Sequence, residues 1–382
     1  MKEIIIVAGK RTPMGEYGGA LRDHSALDLG SIAAKAAIQQ SGFQTGDFDH
    51  SIFGNALQTS GDALYGARHV ALKAGLPVEV PALTVNRLCG SGIQSIISAA
   101  QLIELGEGHV ILAGGMESMS QAPHVVRGAR WGIKLGQGKL EDSLMVALLD
   151  TYCGCYMAAT AETLASRYGI TREAQDEFAL RSQQLATAGW KAGRFSDEVT
   201  PVESFSQDDH MRPNTTLDHL AKLKPAFSKN GCVTAGNASG IVDGAAAVVV
   251  TTPERAKSAP LGRIVSWGIA GVPPEIMGIG PVPATKIALE KSGLNLSDID
   301  LIEVNEAFAA QYLSVEKALE LDRNKVNVNG GAIALGHPLG ATGTRLVVTL
   351  LYELRRRGKK YGLATACIGG GQGIAIIVEA NS

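Results

Sequence analysis

Short continuous apolar runs alternate along the chain with longer stretches whose apolar residues recur every three or four positions. Glu3–Ala8, His50–Gly54, Ala82–Val85 and Val110–Gly114 read as strands. Ala26–Gln40 and Ile93–Leu105 read as helices between them. This is the β–α–β alternation of a layered α/β domain. The last 120 or so residues repeat the plan. Gly262–Trp267, Ile299–Val304, Tyr361–Ala366 and Gly373–Val378 are strand-like, Val326–Val328 precedes a glycine turn, and Ala284–Lys291, Ala307–Leu321 and Gly343–Arg357 are helical. Each half runs strand, glycine turn with a reactive residue, long apolar helix, strand. We read this as an internal duplication with two similar cores packed together.

The middle differs. From about Ser120 to Ile241 the chain is more polar and irregular. Ala161–Ala188 is one amphipathic stretch, with Thr171 as an N-cap inside it and Glu173 placed to suit the helix dipole. Such an insertion is expected to cover a site built by the two cores. Asp243–Thr252 (DGAAAVVVTT) then reads as a buried strand returning to the first core.

Composition changes this picture in one respect. Of 382 residues, 46 are glycine, about 12% against an average near 7%. Glycine at that density marks many sites where the backbone turns with positive φ or closely approaches another group. With 35 basic and 37 acidic residues, the formal net charge of -2 leaves no electrostatic footprint for nucleic acid. The one dense basic cluster, from Arg355 to Lys360, ends a helix-like run, where cations complement the C-terminus. No run of about 20 apolar residues is present, so no membrane span is expected. The start, MKEIIIVAGKRTP, lacks the features of a secretory signal. A cytosolic protein is expected, with an uncleaved organellar signal as the alternative.

The five cysteines are Cys89, Cys153, Cys155, Cys232 and Cys367. An odd number in a chain this long is no disulfide framework, and no CxxC pair marks a metal site. Cys89 precedes the helix that starts near Gly92. A thiol at a helix start is expected to have a depressed pKa and to be a nucleophile; its bland alternative is an inert core cysteine. His337 lies in an apolar loop between glycines, either as a catalytic base or as a satisfied core histidine. Cys367 stands before the run Gly369–Gly373, whose backbone N–H groups could face a developing oxyanion. Asn305 follows a strand, either as an N-cap or as an amide that orients water or a carbonyl. No phosphate-loop or dinucleotide fingerprint occurs.

Six segments together are more specific than any one: NRLCGSG (Asn86–Gly92), GGMESMS (Gly114–Ser120), TAGNASG (Thr234–Gly240), NEAFA (Asn305–Ala309), GGAIALGHPLGATG (Gly330–Gly343) and CIGGGQG (Cys367–Gly373). In these motifs the chain resembles the thiolase family over essentially its whole length. The resemblance implies an α/β thiolase fold of two duplicated βαβαβαββ cores with an inserted loop domain. The expected division is 1–118 plus 242–262 for the first core, 119–241 for the CoA-covering loop domain and 263–382 for the second core.

By the same resemblance, Cys89 is acylated by acyl-CoA, His337 takes the thiol proton and Cys367 moves protons at the substrate α-carbon. One oxyanion hole would use His337 with a water held by Asn305, and the other the backbone N–H groups of Cys89 and Gly369. Ser239 would contact the pantetheine arm, Met157, Ala307 and Phe308 would line its tunnel, and Arg212 would lie near the nucleotide end. No metal or other cofactor is implied beyond coenzyme A as a substrate. A homodimer or homotetramer is expected, with the strand Val110–Gly114 and the segment after it as candidates for the interface.

One departure bears on specificity. Short-chain biosynthetic thiolases carry His-Met near the acyl group, whereas this chain has Tyr156-Met157. The stretches Gln121–Arg127, Lys139–Ser143 and Ile276–Pro281 resemble the mitochondrial-type 3-ketoacyl-CoA thiolases. The expected activity is thiolysis of 3-ketoacyl-CoA, or the reverse Claisen condensation, over a short-to-medium range that includes acetoacetyl-CoA. The alternatives are a strictly acetoacetyl-CoA-specific enzyme, a non-catalytic acyl-CoA or lipid scaffold, and a ketoacyl-ACP synthase, against which the second cysteine argues.

Overall fold

Five strands and three helices of the first half appear in a computed structural model, which describes residues 2–381. They are β1 (Ile5–Arg11), α1 (Ala26–Ser41), β2 (His50–Gly54), α2 (Gly66–Lys73), β3 (Ala82–Val85), α3 (Ser91–Leu105), β4 (Ile111–Glu117) and, after the insertion, β5 (Val242–Thr251). The insertion contributes α4 (Met157–Tyr168) and α5 (Arg172–Lys191), which numbering in chain order leaves between β4 and β5. The second half follows as β6 (Gly262–Gly271), α6 (Pro281–Ser292), β7 (Leu301–Val304), α7 (Ala309–Leu319), α8 (Leu339–Arg356), β8 (Tyr361–Ile368) and β9 (Gln372–Ala380).

The strands run β7-β8-β9-β6-β1-β5-β4-β2-β3, with the short strand Gly15–Glu16 added to β5. The seam between halves is slight, since β1 and β6 pair only at Ile5–Arg263 and Ile6–Gly262. Each half places a parallel pair at its outer side (β2 with β3, β7 with β8) and antiparallel strands toward the seam. Each also carries the same local device. Asp49 accepts the N–H groups of His109 and Val110, and Asp300 those of Lys360 and Tyr361.

Strand parity shows the layers. Val248 and Val250 of β5 face a core shared with α3 and α8, while Ala245, Ala247 and Val249 face α1 and α2. Ile374, Ile376 and Val378 of β9 join the same inner core, and Ala375 and Ile377 face α6 and α7. Both faces of each sheet half are covered, so the strands read as unbroken apolar runs. Helices α3 and α8 form the middle layer. They cross where a Cβ on Gly92 would lie 2.4 Å from the Thr344 nitrogen, and one on Gly343 2.4 Å from the Ile93 nitrogen. Only glycine permits that backbone approach. The stretch Leu88–Leu105 is apolar enough to span a membrane, but it is this middle-layer helix, 61% buried within the fold.

Thr171 is the N-cap expected for the second part of the amphipathic stretch: Gly169 ends α4 at φ +64°, and Thr171 caps α5 by accepting from Ala174 N–H at 3.2 Å. Two expectations change. Val326–Val328 makes only isolated bridges, to Ile302 and to Gly330. Asn327 stands at φ +46°, and its side-chain amide bonds both the N–H and the carbonyl of Val304, displacing a regular ladder. Strand β4, expected at an oligomer interface, is buried along its whole length between β2 and β5. It has no free edge to offer. The basic residues at the end of α8 behave as expected at a helix C-terminus, with Arg356 and Arg357 both paired to Glu353.

Candidate active site

The sequence around Cys89 folds into a tight 3-10 turn, Leu88–Gly90, ahead of α3. Leu88 adopts φ +44°, an unfavourable value for a leucine, held by Asn86 Oδ1 accepting its N–H at 3.0 Å. The Cys89 thiol accepts from the backbone N–H of Gly369 and from its own. A Cβ on Gly369 would meet Met157 Cε at 2.4 Å, so a side chain there would have to displace that methionine.

His337 precedes α8, with Pro338 at its N-cap. Its Nδ1 lies 2.6 Å from Thr342 Oγ1, and the Thr342 hydroxyl donates to the Pro338 carbonyl at 3.0 Å. The proton therefore sits on Nδ1, and the Nε2 lone pair faces Asn305, whose amide nitrogen is 3.3 Å away. Asn305 is not an N-cap. Helix α7 starts at Ala309 with Phe308 at the cap, so the amide is free to face the imidazole directly.

Cys89, His337 and Cys367 line one cavity of about 170 Å³. Tyr156, Met157, Ser239, Ala307 and Phe308 line it too, joined by Met119, Met145, Leu148, Phe227 and Leu339. Residues 234–240 are stitched to the start of α7, as Ser239 N–H donates to the Ala307 carbonyl at 3.0 Å and Ala309 N–H to that of Asn237 at 2.8 Å. Gly240 accepts from His337 N–H at 2.9 Å. Arg212 lies outside this cavity. It pairs with Glu16 and lines a separate surface hollow with His210, His219 and Gly236.

Burial sets the charge states. The Cys89 thiol is 4% exposed, and burial pushes it up to about 12 against the two N–H donors, with Glu117 adding to the rise. The expected depression at a helix start is therefore corrected: the thiol sits in an apolar pocket, ahead of the helix. Burial also raises Cys367, reinforced by Cys89. It pushes His337 down to about 3, with the Arg345 cation contributing. At neutral pH the three groups are an uncharged thiol, an uncharged imidazole and a second uncharged thiol.

Sequence reasoning passed over the buried carboxylates that frame these loops. Glu117 ends β4 and accepts four N–H groups, from Asn55, Ala56, Leu57 and Gly340. Glu306 accepts from Ser182 Oγ, Asn327 Nδ2 and Ile333 N–H. Both lie inside recognised motifs, and the legible signal was a carboxylate at an otherwise apolar strand end. Thr342 was likewise within a motif but unassigned. Among the described residues no cluster of three or more His, Cys, Asp or Glu could hold a metal ion.

A thiol under two backbone N–H donors, sharing one cavity with a neutral imidazole and a second thiol, has the parts of an acyl-transfer site of the cysteine type. The chain belongs to the thiolase family: residues 4–254 match the thiolase N-terminal domain and 258–380 the thiolase C-terminal domain. It is an acyltransferase of that family. It is 54% identical to the mitochondrial 3-ketoacyl-CoA thiolase of Homo sapiens, over 100% of this chain and 99% of that one. It is 48% identical to the acetyl-CoA acetyltransferase of Cupriavidus necator, over 99% and 100%. The crystal structure of human mitochondrial 3-ketoacyl-CoA thiolase in complex with CoA superposes with a TM-score of 0.98 at 54% identity, covering 100% of this chain and 98% of that one.

Proposed function

We propose that this thiolase cleaves short- to medium-chain 3-ketoacyl-CoA with coenzyme A, acetoacetyl-CoA included, and runs the reverse condensation. The observation that carries the reading is the convergence of Cys89, His337 and Cys367 on one apolar cavity. His337 Nε2 takes the Cys89 proton, and the sulfur attacks the 3-keto carbon. The bond between the α-carbon and that carbonyl breaks, leaving the acyl group on Cys89. The acetyl-CoA carbanion takes a proton from Cys367. A CoA thiol then attacks the acyl group and gives its proton to Cys367. The departing Cys89 sulfur recovers its own from His337. His337, protonated at Nε2, with a water held by Asn305 would hold one developing oxyanion, and the N–H groups of Cys89 and Gly369 the other. At rest the two thiols and the imidazole leave no buried charge; an imidazolium at His337 and a thiolate at Cys367 arise only while the acyl group is on Cys89.

The CoA arm would run along Ser239, Met157, Ala307 and Phe308, and Tyr156 would bound the acyl chain. Arg212, outside the cavity and exposed, would meet the nucleotide end. The insertion, 119–241, would form the covering domain over cores 1–118 plus 242–262 and 263–382. Relatives named both for 3-ketoacyl-CoA and for acetyl-CoA support a substrate range wider than acetoacetyl-CoA alone, and the non-catalytic scaffold has no support. We place the enzyme in the cytosol or an organellar matrix, the latter supported by the mitochondrial designation of mammalian relatives. It would act as a homodimer or homotetramer. The edge strand β3, which exposes Leu83 and has exposed Leu64, Tyr65 and Val78 in the segment before it, replaces β4 as the candidate contact. A thiolysis panel from four- to sixteen-carbon 3-ketoacyl-CoAs tests the reading. Turnover should be highest at the short-to-medium end and absent in Cys89→Ala. Unchanged turnover in that variant would refute the mechanism, and turnover of acetoacetyl-CoA alone would refute the range.

A further inference from the structure

Glu117 is fully buried, and its two oxygens each accept two N–H groups. Oε1 takes Asn55 Nδ2 at 2.7 Å and Leu57 N–H at 3.0 Å. Oε2 takes Ala56 N–H at 3.0 Å and Gly340 N–H at 2.9 Å. No donor comes from Glu117's own strand. Three come from the loop after β2, and one from the first turn of α8.

Those two segments lead to the two reacting groups. The Ala56 carbonyl accepts from Asn86 Nδ2 at 3.0 Å, and Asn86 Oδ1 accepts the N–H of Leu88, the residue before Cys89. Ala56 and Leu57 also pack in the small apolar cluster that contains Cys89. On the other side, Gly340 lies one turn beyond His337. A hydrogen-bonded path thus runs from the nucleophile's turn, through one carboxylate, to the base's helix. We infer that Glu117 is a positioning residue that fixes the Cys89 thiol against the His337 imidazole, an inference that rests on the roles proposed above.

The chemistry of the partners supports a carboxylate at this place. Four N–H donors match the lone pairs of an ionised carboxyl and leave no acceptor for an amide or an acid O–H. Removing it would orphan four donors, two of them fully buried, and unhitch the loop after β2 from the first turn of α8. Burial pushes the group up to about 7 against the pull of Leu57, Gly340 and Ala56; the charged neighbour facing it is Asp243 on β5. Cys89 lies close enough to be affected by its charge.

The test is Glu117→Gln in the full chain, which keeps the shape and turns one oxygen into a donor facing donors. Two quantities are read: kcat and KM for CoA in acetoacetyl-CoA thiolysis, and the rate at which iodoacetamide alkylates Cys89. Positioning predicts that kcat and the alkylation rate both fall about tenfold or more, with KM for CoA within about twofold. A purely structural group would lower the melting temperature and leave both rates in place, and that result overturns the inference. If Glu117→Gln does not fold, Asn55→Ala removes one of the four donors to Glu117, along with a bond to the Met116 carbonyl. It should lower kcat several-fold, and wild-type kcat there also overturns the inference. His337→Ala is the control. If it alkylates at the wild-type rate, the proposed roles fail; if it slows while Glu117→Gln does not, only this inference fails.

Discussion

The Nδ1 of His337 lies 2.6 Å from the hydroxyl of Thr342, whose own proton is committed to the Pro338 carbonyl. That pairing chooses the tautomer. With Nδ1 protonated, Nε2 must present a lone pair, which is what a base in this cavity requires. Thr342→Val keeps the volume of the side chain and removes the acceptor. It should lower kcat about tenfold, with KM for CoA little changed, because one buried donor is orphaned and the imidazole can take the wrong tautomer. Thr342→Ser should recover most of the rate. Steady-state thiolysis of acetoacetyl-CoA by the three proteins decides the matter.

The resting site should carry no thiolate–imidazolium pair. His337 is pushed down to about 3 and Cys89 up to about 12, both by burial first. Ultraviolet difference absorbance of thiolate between wild type and Cys89→Ala should stay flat from pH 5 to pH 9. A thiolate signal at neutral pH would mean that the pair is charged.

The same shift makes His337 a source of acid lability. Its folded value lies below its ordinary 6.5, so between those values the unfolded chain binds a proton that the folded chain refuses. Stability therefore falls as pH drops from about 6.5 toward 3, by up to about 1.4 kcal/mol per pH unit from this group. Glu117 acts in the opposite sense. Raised from 4.5 to about 7, it favours the fold below 4.5 and that contribution is lost as pH rises through 7. Urea midpoints of wild type and His337→Asn between pH 4 and pH 7 should converge on acidification if His337 acts this way.

Gly92→Ala and Gly343→Ala should each destabilise by about 1–3 kcal/mol or more, since the added methyl meets backbone atoms that cannot move aside. Gly46→Ala, in open space, is the contrast and should change thermal stability little. Calorimetric melting of the three variants measures the difference.

Gly369→Ala drives a methyl against Met157 Cε, the mobile end of a flexible side chain. Thiolysis should fall as the N–H beneath Cys89 shifts. The double variant Gly369→Ala, Met157→Ala should regain part of it. If the double variant is no better than the single, the loss does not come from that clash.

The layered plan was legible because strands covered on both faces read as apolar runs, and because α3 and α8 follow glycine turns in each half. The three residues that share the cavity were legible for a related reason, as Cys89, His337 and Cys367 stand out chemically among glycines and aliphatics. What escaped was set by contacts distant in sequence. No local pattern reveals that Glu117 meets Gly340 across the two halves, or that Asn327 replaces a strand with its own side chain. The protonation state of Cys89 also escaped, because a motif gives proximity to a helix start but not the apolar pocket that outweighs it.

The slender β1–β6 seam and the deep α3–α8 contact have a consequence for biogenesis. An emerging first half can close its sheet once β5 is made, yet the inner faces of that sheet and of α3 stay uncovered until α8 arrives about ninety residues later. Strands β8 and β9 follow α8. Each half thus completes its core only with the other, and Cys89 precedes His337 by some 250 residues. The inner apolar faces of the first half are therefore covered only by elements made much later.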